Sequence, residues 1–456
     1  MRLRKVNITQ STQEGAMFES ADPAVFERDP AAENYVINLY PETEYQKISG
    51  FGGAFTETSA YLFSRMSDKA KDRIIKLYFD PEEGLGYNFC RTHIHSCDFT
   101  LSRYTYVEDG DKELKTFSID RDRKYIIPFI KAAQKIAGDK LWFFASPWSP
   151  PGWMKNSGDV CNGGRLMDEH YETWAQYFVR YFEEYKKEGI PFFGLTVQNE
   201  AMARQTWESC IYTAKEEAVF VHKFLKPALN AAGLNDIKIM IWDHNKERIY
   251  ERARDSFTVP GAKDDVWGIA FHWYSGSHFS ALDMTHNAFP DKSLVLSEYC
   301  AGGAINSEAP GFPLLGAWES IELCANELIG NFNNYMTAET IWNLLVDEAG
   351  GPSHDRTFGC KAELTVNPEK DEIIIEPSYY AIAHFSRFVK RGAVRIGSSS
   401  YSDDIDVAAF KNPDGKIIAV ALNHGKAPAG PRLRLGETSA LVRLPGHSLS
   451  TFVIDA

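Results

Sequence analysis

The sequence predicts an α/β protein: a (β/α)8 TIM barrel with a flanking β-sandwich built from both chain termini. Three observations predict it. From about residue 46 to 390, short apolar runs alternate with amphipathic helical stretches, and there are eight such runs. After Gly392 the helical period stops, and short strand-like runs separated by turn signals take over. The first 42 residues are also strand-like, so both ends of the chain belong to one small β domain. The expected domains are 43–392 for the barrel and 1–42 with 393–456 for the side domain.

The expected barrel strands are 48–55, 87–93, 141–145, 192–197, 237–242, 267–273, 293–296 and 337–342. Between the first two, Ser67 is placed to cap a helix whose apolar stripe is Ala70, Ile74, Ile75 and Tyr78. A second stripe, Ala381, Ile382, Phe385, Phe388 and Val389, closes the barrel region, with Gly392 as its stop. In the C-terminal part, strands are expected at 405–410, 416–422, 431–435 and 448–454, the first two joined by Asn412-Pro413-Asp414-Gly415. At the N-terminus, 35–39 is a further strand. No internal repeat is evident.

Composition narrows the function class. The chain has 456 residues, of which 44% are hydrophobic and 24% charged, as in an ordinary globular protein. A formal net charge of −13 and no Lys/Arg run argue against nucleic acid, whose binding rests on basic patches. No stretch is long and apolar enough for a membrane span. The seven cysteines are odd in number and irregular in spacing, and the basic start of the chain lacks an apolar h-region. A cytoplasmic protein is therefore expected. Nothing in the chain specifies an oligomeric state.

In a (β/α)8 barrel the active face lies at the strand C-termini. Glu200 follows the fourth expected strand through Gln198-Asn199, and Glu298 follows the seventh. Two carboxylates on one barrel face can converge on a single pocket, which is the requirement for cleaving a glycosidic bond. One protonates the leaving oxygen and the other attacks the anomeric carbon, at roughly 5–5.5 Å separation in a retaining enzyme. A lone glutamate is usually a solvated or ion-paired group. Two at strand ends, beside aromatic residues able to stack on sugars, favour the catalytic reading.

Several ordered motifs carry a resemblance over nearly the whole chain. They are Gly50-Phe51-Gly52-Gly53-Ala54-Phe55-Thr56-Glu57, Arg91-Thr92-His93-Ile94-His95-Ser96-Cys97-Asp98-Phe99 and Ser146-Pro147-Trp148-Ser149-Pro150-Pro151-Gly152-Trp153-Met154-Lys155. Further on come Thr196-Val197-Gln198-Asn199-Glu200, His272-Trp273-Tyr274, Ser297-Glu298-Tyr299-Cys300, and Trp342-Asn343-Leu344 with Gly350-Gly351-Pro352. The chain resembles glycoside hydrolase family 30, the group that contains glucosylceramidases. The resemblance implies retaining β-glycosidase chemistry, with Glu200 as acid/base and Glu298 as nucleophile. It implies that Asn199 donates to the sugar 2-hydroxyl and that Asp98, Trp148 and Trp342 hold the terminal sugar. Tyr274 is expected to hydrogen-bond near the nucleophile, and Arg91 is the candidate for keeping Glu298 ionised. Glu200, the proton donor, is expected to have its pKa raised by burial against aromatic side chains.

The expected substrate is a β-linked carbohydrate, most simply a β-glucoside cleaved from the non-reducing end, with β-1,6-glucan and β-xyloside as alternatives. Two carboxylates and water complete the reaction, so no cofactor or metal is expected. The loops at 301–313 and 353–357 depart from the glucosylceramidase pattern, which points away from glucosylceramide itself. One rival comes from different chemistry: His93-Ile94-His95, with His244 and His272 near later strand ends, has the general layout of metal-dependent amidohydrolases. Against it, the His-x-His pair lies on the second strand and the eighth lacks an Asp at its tip. A non-catalytic sugar-binding protein is a further rival, and it would require one of the two glutamates to be displaced.

Overall fold

The computed structural model describes residues 4–138, 141–300, 315–355 and 360–455. Eight parallel strands close into a barrel: Gly50–Phe55, Phe89–Ile94, Trp142–Pro147, Gly194–Thr196, Lys238–Asn245, Gly268–His272, Ser293–Glu298 and Met336–Ile341. Each pairs with the next in the chain, and the eighth returns to the first through Ala338↔Gly50 to Ile341↔Gly53. All eight expected strands are present. The glycine run of the first strand has a steric reason, because a Cβ on Gly52 would lie 1.8 Å from the carbonyl oxygen of Phe89 on the neighbouring strand.

The barrel interior is layered. Phe89, Phe144, Met240, Ala270, Val295 and Ala338 form an apolar plug. One inward position further along the strands the chemistry changes to Arg91, Ser146, Thr196, Asp243, His272 and Ser297, all buried. The site is built on this second, polar layer. Outside the barrel, the helix Asp68–Phe79 begins where Ser67 accepts the Ala70 N–H, and it buries Ala70, Ile74, Ile75 and Tyr78.

Ten further strands, drawn from both ends of the chain, form one continuous hydrogen-bonded sheet around a separate core of residues such as Val6, Ile37, Leu39, Ile396, Leu433 and Phe452. Its central strands Ile405–Lys411 and Ile417–Asn423 are apolar almost throughout because both faces are covered. Val407, Ile417, Ala419 and Ala421 enter the side-domain core, while Phe410, Ile418, Val420 and Leu422 join the barrel's core. Phe410 meets Phe332 of the barrel helix Ala317–Asn333 at 5.2 Å. His384 of the helix Pro377–Ser386 bonds Ser11 at 3.0 Å and Thr451 at 2.8 Å, tying both termini to the barrel. The strands Val394–Ser399 and Thr438–Leu441 were not expected. The first lacks a clean apolar alternation because Arg395, Gly397 and two serines interrupt it, and its pairing with Val36–Lys47 is irregular in register. Among the described residues, no helix is long and apolar enough to cross a membrane.

Candidate active site

Three local distortions at the barrel mouth aim the functional side chains. On the fifth strand, Trp242 and Asp243 have φ of 78° and 48°, and pairing with the sixth strand skips a residue there. This bulge turns Trp242 outward into the helical layer and Asp243 inward. On the seventh strand the register skips Ser297, so that Ser297 and Glu298 both reach the interior. After the fourth strand, Glu200 takes φ of 49°, unusual for a side-chain-bearing residue, and its N–H donates to the Asp243 carbonyl at 2.8 Å.

Arg91 organises the site. Its guanidinium is fully buried and contacts Ser146 Oγ at 3.0 Å, Asn199 Oδ1 and Asp243 Oδ2 at 2.8 Å, the Ser297 carbonyl at 3.3 Å and Glu298 Oε2 at 2.6 Å. The Trp148 ring lies 4.8 Å from it and the Trp342 ring 5.7 Å. With Oδ1 of Asn199 occupied by Arg91, its amide nitrogen is left as a donor. Tyr274 donates its hydroxyl to the other oxygen, Glu298 Oε1, at 3.0 Å.

Asp243 and His272 sit under both glutamates. Asp243 accepts from Arg91, from Thr196 and Ser297 hydroxyls at 2.5 Å and from His272 Nε2 at 3.0 Å. Burial opposes its charge, but Arg91, His272 and Ser297 hold its carboxyl far below the usual range. An ionised Asp243 can only accept, so His272 carries a proton on Nε2. The same ring places Nε2 3.9 Å from Glu298 Oε2 and Nδ1 3.7 Å from Glu200 Oε1. The two glutamates thus flank one imidazole.

Their electrostatics differ from the expectation. Burial works against the charge of Glu200, but His272 and His244 outweigh it and hold the carboxyl at about 2. Burial likewise disfavours a charged His272, but Glu298, Asp243 and Glu200 lift it to about 9. The proton of the Glu200–His272 pair therefore lies on the imidazole. The predicted rise for Glu200 does not occur, because the aromatic surroundings are interrupted by two histidines. Glu298 is raised by burial, which Glu200 and Asp243 reinforce and His272 and Arg91 oppose.

The remaining predicted residues line the same mouth. Trp148 and Trp342 stack with centroids 5.1 Å apart, and Asp98, itself buried, has Oδ1 without a hydrogen-bond partner among the described residues. Burial and then the charges of Glu298, Glu208 and Glu200 push its carboxyl well up. The sequence motif His93-Ile94-His95 is occupied elsewhere. His93 accepts the Glu57 N–H at 3.0 Å and contacts the His95 carbonyl, while His95 contacts Tyr177 and the Ser149 carbonyl. Every ring nitrogen of that pair is used within the fold. The departing loop at 301–313 and residues 356 and 357 of the other loop lie outside the described residues. Of the latter loop, Ser353 donates to the Asp98 carbonyl, Asp355 accepts from Thr206, and His354 stands 3.3 Å from Glu208.

Sequence reasoning did not single out Asp243, the hub of the network; His272 stood in the motif His272-Trp273-Tyr274, but the one role given to it was in the rival metal layout. The available signal was Trp242-Asp243-His244-Asn245, a polar run at the end of an apolar strand. The bulge that turns Asp243 inward is not visible in the alternation.

A closed parallel barrel whose C-terminal mouth gathers two glutamates, a buried arginine and stacked tryptophans has the architecture of a barrel glycosidase. Comparison with known proteins agrees. Residues 48–389 match the glycosyl hydrolase family 30 TIM-barrel domain, and residues 392–452 match the glycosyl hydrolase family 30 beta sandwich domain. The lysosomal acid glucosylceramidase of Mus musculus is 31% identical over 463 residues, covering 97% of this chain and 88% of that protein. Among solved structures, SrfJ from Salmonella typhimurium superposes with a TM-score of 0.93 at 32% identity, covering 98% of this chain and 99% of that one. The endo-β1,6-glucanase BT3312 superposes with a TM-score of 0.87 at 28% identity, with the same coverage. The chain belongs to glycoside hydrolase family 30. It is a β-glycosidase acting on a carbohydrate substrate by the retaining mechanism general to that family.

Proposed function

We propose that the protein hydrolyses a terminal β-glucoside by double displacement, with Glu298 as nucleophile and Glu200 as acid/base. The observation that carries the assignment is the asymmetry of their partners. Glu298 is gripped on both oxygens by fixed donors, Arg91 at 2.6 Å and Tyr274 at 3.0 Å. That suits a carboxylate which must stay charged and aimed. Among the described residues, the Glu200 side chain has Gln205 at 3.3 Å and the two imidazoles beyond hydrogen-bond range, which suits a group that exchanges a proton.

When substrate fills the pocket and excludes water, a neighbouring carboxylate–imidazolium pair loses solvation and its neutral form gains. The proton then passes from His272 to Glu200. Glu200 gives it to the glycosidic oxygen as a Glu298 oxygen bonds the anomeric carbon, and the alcohol leaves. In the second step Glu200, now a carboxylate, takes a proton from water. The water oxygen attacks the anomeric carbon and Glu298 departs as a carboxylate. Asn199, held by Arg91, offers its amide to the 2-hydroxyl. Asp98, with a buried oxygen that lacks a hydrogen-bond partner among the described residues, accepts sugar hydroxyls between Trp148 and Trp342, because an unpaired buried acceptor is costly until a ligand fills it.

A second reading, cleavage within β-1,6-glucan, is supported by the resemblance to the glucanase structure over the full chain. A β-xyloside is the third alternative. A cytoplasmic setting is the reading that the seven unpaired cysteines support. The test is a panel of aryl β-glucoside, β-xyloside, β-galactoside and β-fucoside with wild type and Glu298→Ala. One sugar should be turned over strongly, and the variant should lose at least roughly 10⁴ in kcat. Failure on every aryl glycoside, with release of sugar from β-1,6-glucan, would favour the second reading.

A further inference from the structure

We propose that Glu200, His244 and His272 form an inhibitory site for a borderline-soft divalent cation such as Zn²⁺. For its effect on turnover the inference rests on the role given to Glu200 above. For binding it rests on the geometry alone.

A carboxylate oxygen and one nitrogen from each ring lie within 4.8 Å of one another. Glu200 Oε1 is 3.8 Å from His244 Nδ1 and 3.7 Å from His272 Nδ1. Tetrahedral ligands at about 2.1 Å from zinc stand roughly 3.4 Å apart, so a small contraction completes the set. Both Nδ1 atoms are buried and neither makes a hydrogen bond among the described residues. His272 is wholly buried, so its Nδ1 has no bulk water to satisfy it. Burial also keeps His244 toward its neutral, metal-binding form.

The outer shell has the arrangement that metal-binding histidines use. The far nitrogen of His272 donates to Asp243, itself fixed by Arg91, Thr196 and Ser297. Such a carboxylate–histidine pair fixes the tautomer and makes the free nitrogen more basic. Three protein ligands leave a fourth position open toward the pocket. Binding is balanced by loss of the Nδ1 proton of His272 to solvent. The cation thus removes the proton Glu200 would deliver and ties up its carboxylate.

The test uses the full chain stripped with a chelator, titrated calorimetrically with ZnCl₂ alone, alongside turnover of an aryl β-glucoside. We expect one zinc per chain, with turnover lost in step with occupancy and recovered with chelator. His244→Gln should weaken zinc binding at least tenfold. The double variant Cys300→Ser/Cys360→Ser removes the other nearby soft ligand pair, whose sulfurs are 3.6 Å apart, and should bind zinc as wild type does. Unchanged zinc affinity in His244→Gln, or its loss in the cysteine variant, would overturn the assignment. So would zinc activation of the stripped enzyme, which would overturn the proposed acid/base role as well. Stoichiometric binding weakened by His244→Gln, in a protein that turns over no glycoside, would sustain the site while the functional reading failed.

Discussion

Arg91 Nη1 lies 2.6 Å from Glu298 Oε2, and the other terminal nitrogen of the same guanidinium holds Asp243 and Asn199 at 2.8 Å. One buried cation therefore fixes two carboxylates, Glu298 and Asp243, and the Asn199 amide. Removing it exposes each of these to the others.

Replacing Arg91 by Met is expected to leave Asp243 and Glu298 buried without their counter-ion. Breaking such a pair costs about 3–5 kcal/mol. Urea unfolding should show a loss of that size, and kcat should fall with it. Wild-type stability in the variant would mean that Asp243 and Glu298 had neutralised or drawn in water, and that the network is not held by charge.

Glu200→Ala separates the two chemical steps. Substrates with good leaving groups need little proton donation, so glycosylation by a dinitrophenyl glycoside should be nearly spared while an alkyl glycoside slows by roughly 10²–10⁴. Deglycosylation should slow for both, visible as a burst of phenol. Azide should restore turnover and give the β-glycosyl azide, since it attacks from the face Glu200 vacated. Equal loss on both substrates would remove Glu200 from the acid/base role.

The Glu200–His272 pair is expected to set the alkaline limb of kcat/KM. His272 is raised to about 9, so the pair retains one proton below that pH and none above it. Activity should be held through neutrality and fall as pH rises through about 9. In His272→Gln the proton has no imidazole to rest on, and the limb should move down by more than one unit. A pH profile with the limb unmoved would place the proton elsewhere.

A buried carboxyl outside the site governs stability against pH. Glu339 points outward from the eighth strand into the core beside Tyr299 and Glu363, and burial raises it to about 8. Between the ordinary value of 4.5 and about 8 the folded chain holds a proton that the unfolded chain has lost. Its contribution is therefore full below 4.5 and disappears progressively as pH rises to about 8. Glu339→Gln cannot ionise, so its stability relative to wild type should rise by a few kcal/mol between pH 5 and 8. Parallel curves for the two proteins would show that Glu339 is ionised in the fold.

Much of the architecture was legible because the period of the apolar residues changes where the elements change. The eight barrel strands read as apolar runs because both faces of a barrel strand are buried. The helix after Ser67 carried both its cap and its stripe. The side-domain strand Val394–Ser399 did not, since Arg395, Gly397 and its serines break the alternation.

Within the site, Glu200 and Glu298 were legible from their positions at the ends of apolar strands and Arg91 from its place in the second, and the motif resemblance supplied the proposed sugar-binding residues. Asp243 was not, because a bulge with two left-handed residues turns it inward, and a backbone distortion leaves no period in the residue pattern. The direction of the Glu200 shift was missed for a related reason. Burial is a local property that aromatic neighbours in sequence suggest, whereas charge acts through space, and His244 and His272 come from two other strands.

The sequence by itself determined a barrel with a side sheet, two carboxylates at strand ends and the family to which they belong. Only the tertiary structure decided which histidines matter. His93 and His95 are spent on backbone and tyrosine partners, while His272 stands between the two glutamates with one nitrogen unpaired. The physical reason is that closing the barrel brings side chains from strands four to seven within a few ångströms of one another. Hydrogen-bond saturation and charge balance are settled by that closure and not by any stretch of the chain read alone.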